Sequence, residues 1–144
     1  MEIKDFFTDI QKRDIQLAIE NAELNTSGEI RVHLAKNCKE DVLKKSKKVF
    51  EKLKMHQTDL RNGVLIFLAI EDRKISILGD KGINDLVEPD FWDSIKNNMV
   101  DQFKKEQFTV GLCQGIEMIG VKLKNHFPYQ KDDVNELTND ISFE

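Results

Sequence analysis

Cysteine is scarce in this chain, no apolar run is long, and neither sign of charge dominates its body. The two cysteines, Cys38 and Cys113, lie far apart with no CxxC spacing, so a zinc site or redox pair is not expected and both read as reduced thiols. No window approaches the roughly 18 apolar residues of a membrane span. The opening Met1-Glu2-Ile3-Lys4-Asp5 places acids where a secretory signal needs a basic end and an apolar stretch. The expected location is therefore cytoplasmic, with no membrane partner. The net charge of −4 is concentrated at the end, where Asp132, Asp133, Glu136, Asp140 and Glu144 all follow the last basic residue, Lys131. Without them the body holds 22 basic and 21 acidic residues, which gives no bulk electrostatic reason to expect nucleic acid.

Several motifs are also missing. There is no D-x-[DN]-x-[DN]-G calcium loop, no GxxxxGK[ST] phosphate loop, no GxSxG elbow and no HExxH pair. His33, His56 and His126 are scattered and read as ordinary histidines. No internal repeat or low-complexity tract appears.

What is present is enough for one core. At 144 residues, 40% of them hydrophobic, the chain can bury about two-thirds of its unfolded surface as a single domain. Thr8 followed by Gln11 makes a capping-box pattern, and Ile15, Ala18, Ile19 and Ala22 recur at helical spacing, which predicts a helix from about Asp9 to Glu23. Thr26-Ser27-Gly28 is a turn before a first strand, Glu29 to Ala35, whose apolar residues alternate with polar ones. Val42, Leu43, Ser46, Val49, Phe50 and Leu53 stripe a second helix over roughly 40–54. Its Lys44, Lys45, Lys47 and Lys48 suggest a phosphate patch at first sight, but Glu40, Asp41 and Glu51 interrupt them and a solvated face is the simpler reading.

The continuously apolar run Gly63 to Ile70 suits a central strand covered on both faces. Glu71-Asp72-Arg73 reads as turn chemistry, so Lys74 to Leu78 should return as an antiparallel hairpin strand, with the first and central strands parallel. Asp80 to Asp85 is expected to be a loop or short turn, with Pro89 as the first residue of a helix carrying Phe91, Trp92, Ile95, Met99 and Phe103. A last helix, about Thr109 to Asn125, contains Gly111, Gly115 and Gly120, which implies close packing on a neighbour. Residues 1–129 form the predicted domain, and from about Gln130 an acidic, mobile tail is expected. The alternative for that tail is a short docking helix built on Val134, Leu137, Ile141 and Phe143.

These α/β elements imply a three-layer sandwich with a mixed central sheet and helices on both faces. Ser27-Gly28-Glu29-Ile30-Arg31-Val32, Arg61-Asn62-Gly63-Val64-Leu65-Ile66-Phe67-Leu68-Ala69, Ile77-Leu78-Gly79-Asp80-Lys81-Gly82-Ile83-Asn84 and Phe91-Trp92 occur in that order. So do the glycine-spaced last helix and the closing Phe127-Pro128. This series resembles the TPM domain family, closest to its short stand-alone members, over about Ile15 to Pro128. The resemblance implies a three-layer αβα sandwich of Rossmann-like shape, an association with divalent metal, especially calcium, and in plant relatives an association with phosphatase activity and photosystem repair.

In the expected topology the start of the first strand, the start of the central strand and the end of the hairpin strand meet at one sheet edge. That edge carries Glu29, Asn62 and Asp80, with Asp85 and Glu88 on the loop that leaves it. Calcium or magnesium takes oxygen ligands of these kinds, and Asp80, between Gly79 and Gly82, is the first choice. Each also has a plainer role: Asp80 as a turn cap, Glu29 as an outward strand residue, Asn62 as a turn residue, Asp85 and Glu88 as solvent-facing acids. The function expected from sequence is a divalent-cation binding or regulatory module. One alternative is a metal-assisted phosphatase with Asp80 as ligand or nucleophile and Arg61 or Lys81 steadying the phosphate. The other is a protein-interaction adaptor without metal.

Overall fold

Thr8 starts the first long helix as its sequence predicts. Its hydroxyl accepts from the Gln11 amide at 3.1 Å, the Gln11 side chain accepts from the Thr8 amide at 2.9 Å, and α1 (Asp9–Glu23) follows. The computed structural model describes residues 2–130 and 135–144. After α1 come β1 (Glu29–Ala35), α2 (Val42–Lys52), β2 (Gly63–Ala69), β3 (Lys74–Gly79), the short α3 (Lys81–Asn84), α4 (Phe91–Lys104), α5 (Phe108–His126) and β4 (Ser142–Phe143). Among the described residues no helix is long and apolar enough to cross a membrane.

The sheet order is β3-β2-β1-β4, with β1 and β2 parallel from Glu29↔Gly63 to Ala35↔Ala69, and β2 and β3 antiparallel. The unbroken apolar run of β2 is explained by its place in the middle. Val64, Ile66 and Leu68 join one core with α1, α4 and α5, where Ile15, Ile95, Met99, Ile116 and Ile119 are fully buried. Leu65, Phe67 and Ala69 face the other way, into a smaller core with Val49 and Phe50 of α2 and with Met55. Helices therefore cover both faces of the sheet, each fully buried Ile or Leu contributing about 1.5–3 kcal/mol by leaving water. The last helix does approach its neighbours closely: a Cβ at Gly115 would come within 2.6 Å of Met99 Sδ, and one at Gly120 within 2.7 Å of Ala22 Cβ.

Four expectations change. Pro89 is not a helical residue; it sits in the turn before α4, where the Phe91 amide donates to the Glu88 carbonyl at 3.0 Å. Leu43, assigned to the apolar stripe of α2, is 45% exposed, because the buried face of that helix is set by Ser46, Val49 and Phe50. The Asp80 to Asp85 stretch forms the single helical turn α3 with Asp80 as its N-cap.

The fourth concerns the acidic C-terminal stretch, whose described part lies along the free edge of β1. There β4 pairs with His33 and Leu34, and the Glu144 amide donates to the Leu34 carbonyl at 2.9 Å. Val134 lies outside the described residues. Leu137, Ile141 and Phe143 do dock, but as extended chain: Leu137 packs on the α2-side core and Ile141 with Phe143 on the opposite one, a split that one helix face does not allow. This segment also explains why the alternating strand β1 is buried at every position. Its polar residues Glu29, Arg31 and His33 are bonded by the backbone and side chains of residues 137–144 instead of by water.

Candidate functional site

The topology brings Glu29, Asn62 and Asp80 to one edge of the sheet, as the sequence implies, but does not gather them into a metal centre. Asp80 is buried and faces Arg61: the guanidinium donates through Nε to Oδ2 at 2.7 Å and through Nη2 to Oδ1 at 2.9 Å, and Oδ1 also accepts from the Lys81 amide at 2.8 Å. Both oxygens are thus engaged by donors, and a cation placed there would meet a guanidinium. Arg61 holds this pose with a left-handed backbone, φ 51°. Asn62 is 1% exposed with its Nδ2 unpartnered among the described residues. Glu88 pairs with Lys122 at 2.9 Å, and the Lys122 ammonium holds its carboxyl below the usual range. Asp85 and Lys81 are exposed. Among the described residues no three His, Cys, Asp or Glu side chains stand close enough together to hold a metal ion. Ion pairs consume two of the candidate acids, Asp80 and Glu88.

A different acidic pair occupies the other side of Glu29. Glu23 ends α1 and Glu29 begins β1, so the turn at Thr26 and Ser27 folds them toward one small cavity of about 90 Å³, which Asn135 and Tyr129 also line. The segment after α5 holds that turn in place. Thr26 donates its hydroxyl to the Phe127 carbonyl, the Ser27 amide donates to the same carbonyl at 3.0 Å, and the Tyr129 amide donates to Asn25 at 3.0 Å.

Each carboxylate has one oxygen bonded to backbone: Glu23 Oε2 accepts from Ile30 at 2.8 Å and Glu29 Oε1 from Leu137 at 2.6 Å. The second oxygen of Glu29 is different. Glu29 is 2% exposed, and its Oε2, like the nearby Ser27 Oγ, has no hydrogen-bond partner among the described residues. An orphaned buried carboxylate oxygen is costly unless a proton or a cation joins it. Burial pushes the Glu23 carboxyl up to about 8 and that of Glu29 up to about 7; the Ile30 amide pulls Glu23 back and the Leu137 and Glu136 amides pull Glu29 back, while the charges of Glu29 and Glu20 push Glu23 further and that of Glu136 pushes Glu29 further. At Asp80 the buried charge is matched by Arg61. Here it is not.

Sequence reasoning included Glu29 and missed Glu23, which looks like the last polar residue of an amphipathic helix. The available signal was position: two acids six residues apart across a helix-to-strand turn come close whenever that turn is tight. Nothing local announces that Tyr129 and Asn135 close over them.

Comparison with known proteins follows the same outline. The TPM domain family model matches residues 2–122. No curated protein matches the chain. Among solved structures, the NMR structure of the BA42 protein from the psychrophilic bacterium Bizionia argentinensis is 50% identical, covers 99% of each chain and superposes with a TM-score of 0.92. The N-terminal domain of the cg2496 protein from Corynebacterium glutamicum, 14% identical, covers 94% of this chain and 84% of its own with a TM-score of 0.69, a likeness of fold alone.

Proposed function

This chain belongs to the TPM domain family, and from that starting point we propose that it is a divalent-cation binding module whose ion is held between Glu23 and Glu29. One observation carries the reading: the buried Oε2 of Glu29, a residue that lines the small cavity, is left without a partner among the described residues. The donor set is all oxygen, from two carboxylates with Ser27 Oγ beside them, which fits calcium or magnesium and not a metal that prefers thiolate or imidazole. The protein supplies fewer oxygens than calcium takes, so water would complete the set. A cation there would supply the positive charge that Arg61 supplies to Asp80.

The site also explains how such a module reports its state. Glu29 is bonded to the Leu137 amide and Asn135 lines the same cavity, so the charge on Glu29 bears directly on the docked C-terminal segment. The phosphatase alternative has less behind it, because both Asp80 oxygens accept from Arg61, whose guanidinium is thereby committed to the pair instead of to a phosphate.

A calcium and magnesium titration followed amide by amide in NMR spectra tests the assignment. Saturable shifts are expected at Glu23, at Ser27 to Ile30 and at Asn135 to Leu137. Shifts centred on Asp80 to Glu88 would return the site to the other edge, and no saturable change at millimolar metal would end the cation reading.

A further inference from the structure

The opposite end of the sheet, where β2 finishes and turns into β3, holds a cavity of about 440 Å³. That volume lies in the range of small-molecule sites, roughly 300–1,000 Å³. Its walls are apolar and built. Leu68 and Ile75 come from the sheet, Val100 and Phe103 from α4, and Phe108 from the start of α5. Phe103 and Phe108 stand 5.3 Å apart between ring centroids, and Phe103 is held in place against Gly111, where a Cβ would come within 2.8 Å of it. The lining is therefore fixed by packing and is not a loose surface groove.

Its rim is cationic. Arg73, Lys74 and Lys104 line it against a single acid, Glu106. Lys74 is committed to the Cys38 carbonyl at 3.1 Å. Arg73 and Lys104 are exposed and make no ion pair or side-chain hydrogen bond among the described residues. Two of these rim residues, Arg73 (φ 54°) and Glu106 (φ 61°), carry left-handed backbones at the tips of the β2–β3 and α4–α5 turns. Such conformations cost a non-glycine residue about 1–2 kcal/mol. The hairpin turn is satisfied by the Arg73 amide bonding the Ile70 carbonyl, and glycine would serve it better, so turn chemistry alone does not account for an arginine. The carboxyl ends of parallel strands are also where open α/β sheets hold their ligands.

We propose that this cavity binds a single-chain amphiphilic monoanion, its hydrocarbon against Phe103, Phe108 and Val100 and its carboxylate at the rim between Arg73 and Lys104. The site is independent of the Glu23–Glu29 pocket, which lies at the other end of the strands.

Decanoate, decanol and decyltrimethylammonium share one chain and differ in the charge of the head, so titrating each into the full chain separates rim from cavity. Decanoate is expected to bind saturably, with amide shifts at Leu68 to Ile75 and Val100 to Phe108, more tightly than decanol, and the cationic probe not to compete with it. Arg73→Gly removes the charge while favouring the left-handed backbone, so the fold is retained. It and Lys104→Gln are each expected to weaken decanoate about threefold to fivefold and leave decanol unchanged. Equal affinity for decanoate and decanol, shifts elsewhere, or no binding of any probe would overturn the proposal. So would sedimentation with anionic phosphatidylglycerol vesicles that decanoate does not displace, which would point to a membrane surface instead.

Discussion

Replacing Gly82 by alanine is expected to lower stability by about 3 kcal/mol or more, and the thermal midpoint by on the order of 10 °C. The added Cβ would stand 2.2 Å from the Leu60 carbonyl oxygen and 2.5 Å from that of Arg61. Both are backbone atoms that no side-chain rotation can move. Gly82 has an ordinary backbone, since no glycine has a positive φ, so the demand is for space and not for conformational freedom. The same contact carries the hydrogen bond from the Gly82 amide to the Arg61 carbonyl at 2.8 Å. Pushing the two segments apart therefore also breaks the edge at which Arg61 holds Asp80. Gly63→Ala is the control: its Cβ would meet nothing closer than 3.4 Å, and its midpoint should move far less. Thermal unfolding of the two variants decides the matter, and equal midpoints would show that the 60–82 contact is not tight.

Between about pH 6.5 and 8, with metal chelated, stability is expected to fall as pH rises. Glu23 and Glu29 are held above the ordinary carboxylate range in the folded chain, so the folded state keeps protons that the unfolded state has released. Their contribution is complete below the unfolded value, near 4.5, and is lost as pH passes about 7 for Glu29 and about 8 for Glu23. His33 works in the opposite sense at lower pH. Burial lowers its value from the usual 6.5, with Glu144 pulling it back, so its contribution is present above that value and lost as pH falls. The window from about pH 6.5 to 8 therefore isolates the two acids, above the range of His33 and below the point at which both are ionised. Glu29→Gln keeps the shape without the charge and should flatten the fall, leaving the variant more stable than the parent at the alkaline end. Millimolar calcium should flatten it in the parent by pairing the buried charges of the cavity. A parent whose midpoint is constant across this window without metal would contradict the burial of the pair.

Much of the fold is legible because its signals are local. The Thr8–Gln11 box, the period of α1, the continuous apolar run of β2 and the polar break before β3 each follow from neighbours in sequence. The register of β1 against β2 follows once both are parallel and start at Glu29 and Gly63. The strap along β1 is not legible in this way. It rests on two paired residues and on bonds from Glu29, Arg31 and His33 to partners more than 100 positions away, and an extended segment that short has no period to read. The candidate site divides along the same line. Asp80, Asn62 and Glu29 converge where the topology places them, but which acids are neutralised depends on Arg61 and Lys122, and which are buried without compensation depends on the segment after α5. Charge alone marks both kinds as ligands. Only their surroundings separate a paired acid from one buried without a charged partner.

Proton release on metal binding tests the central claim most directly. A cation entering between Glu23 and Glu29 near pH 7.5 must displace the protons that burial keeps there. Calorimetric titration of calcium in two buffers of different ionisation enthalpy should therefore report net proton release, reduced in Glu29→Gln and in Glu23→Gln and unchanged in Asp85→Asn. Calcium binding with no proton release, or with release that both glutamine variants leave intact, would contradict the assignment of the cation to this pair.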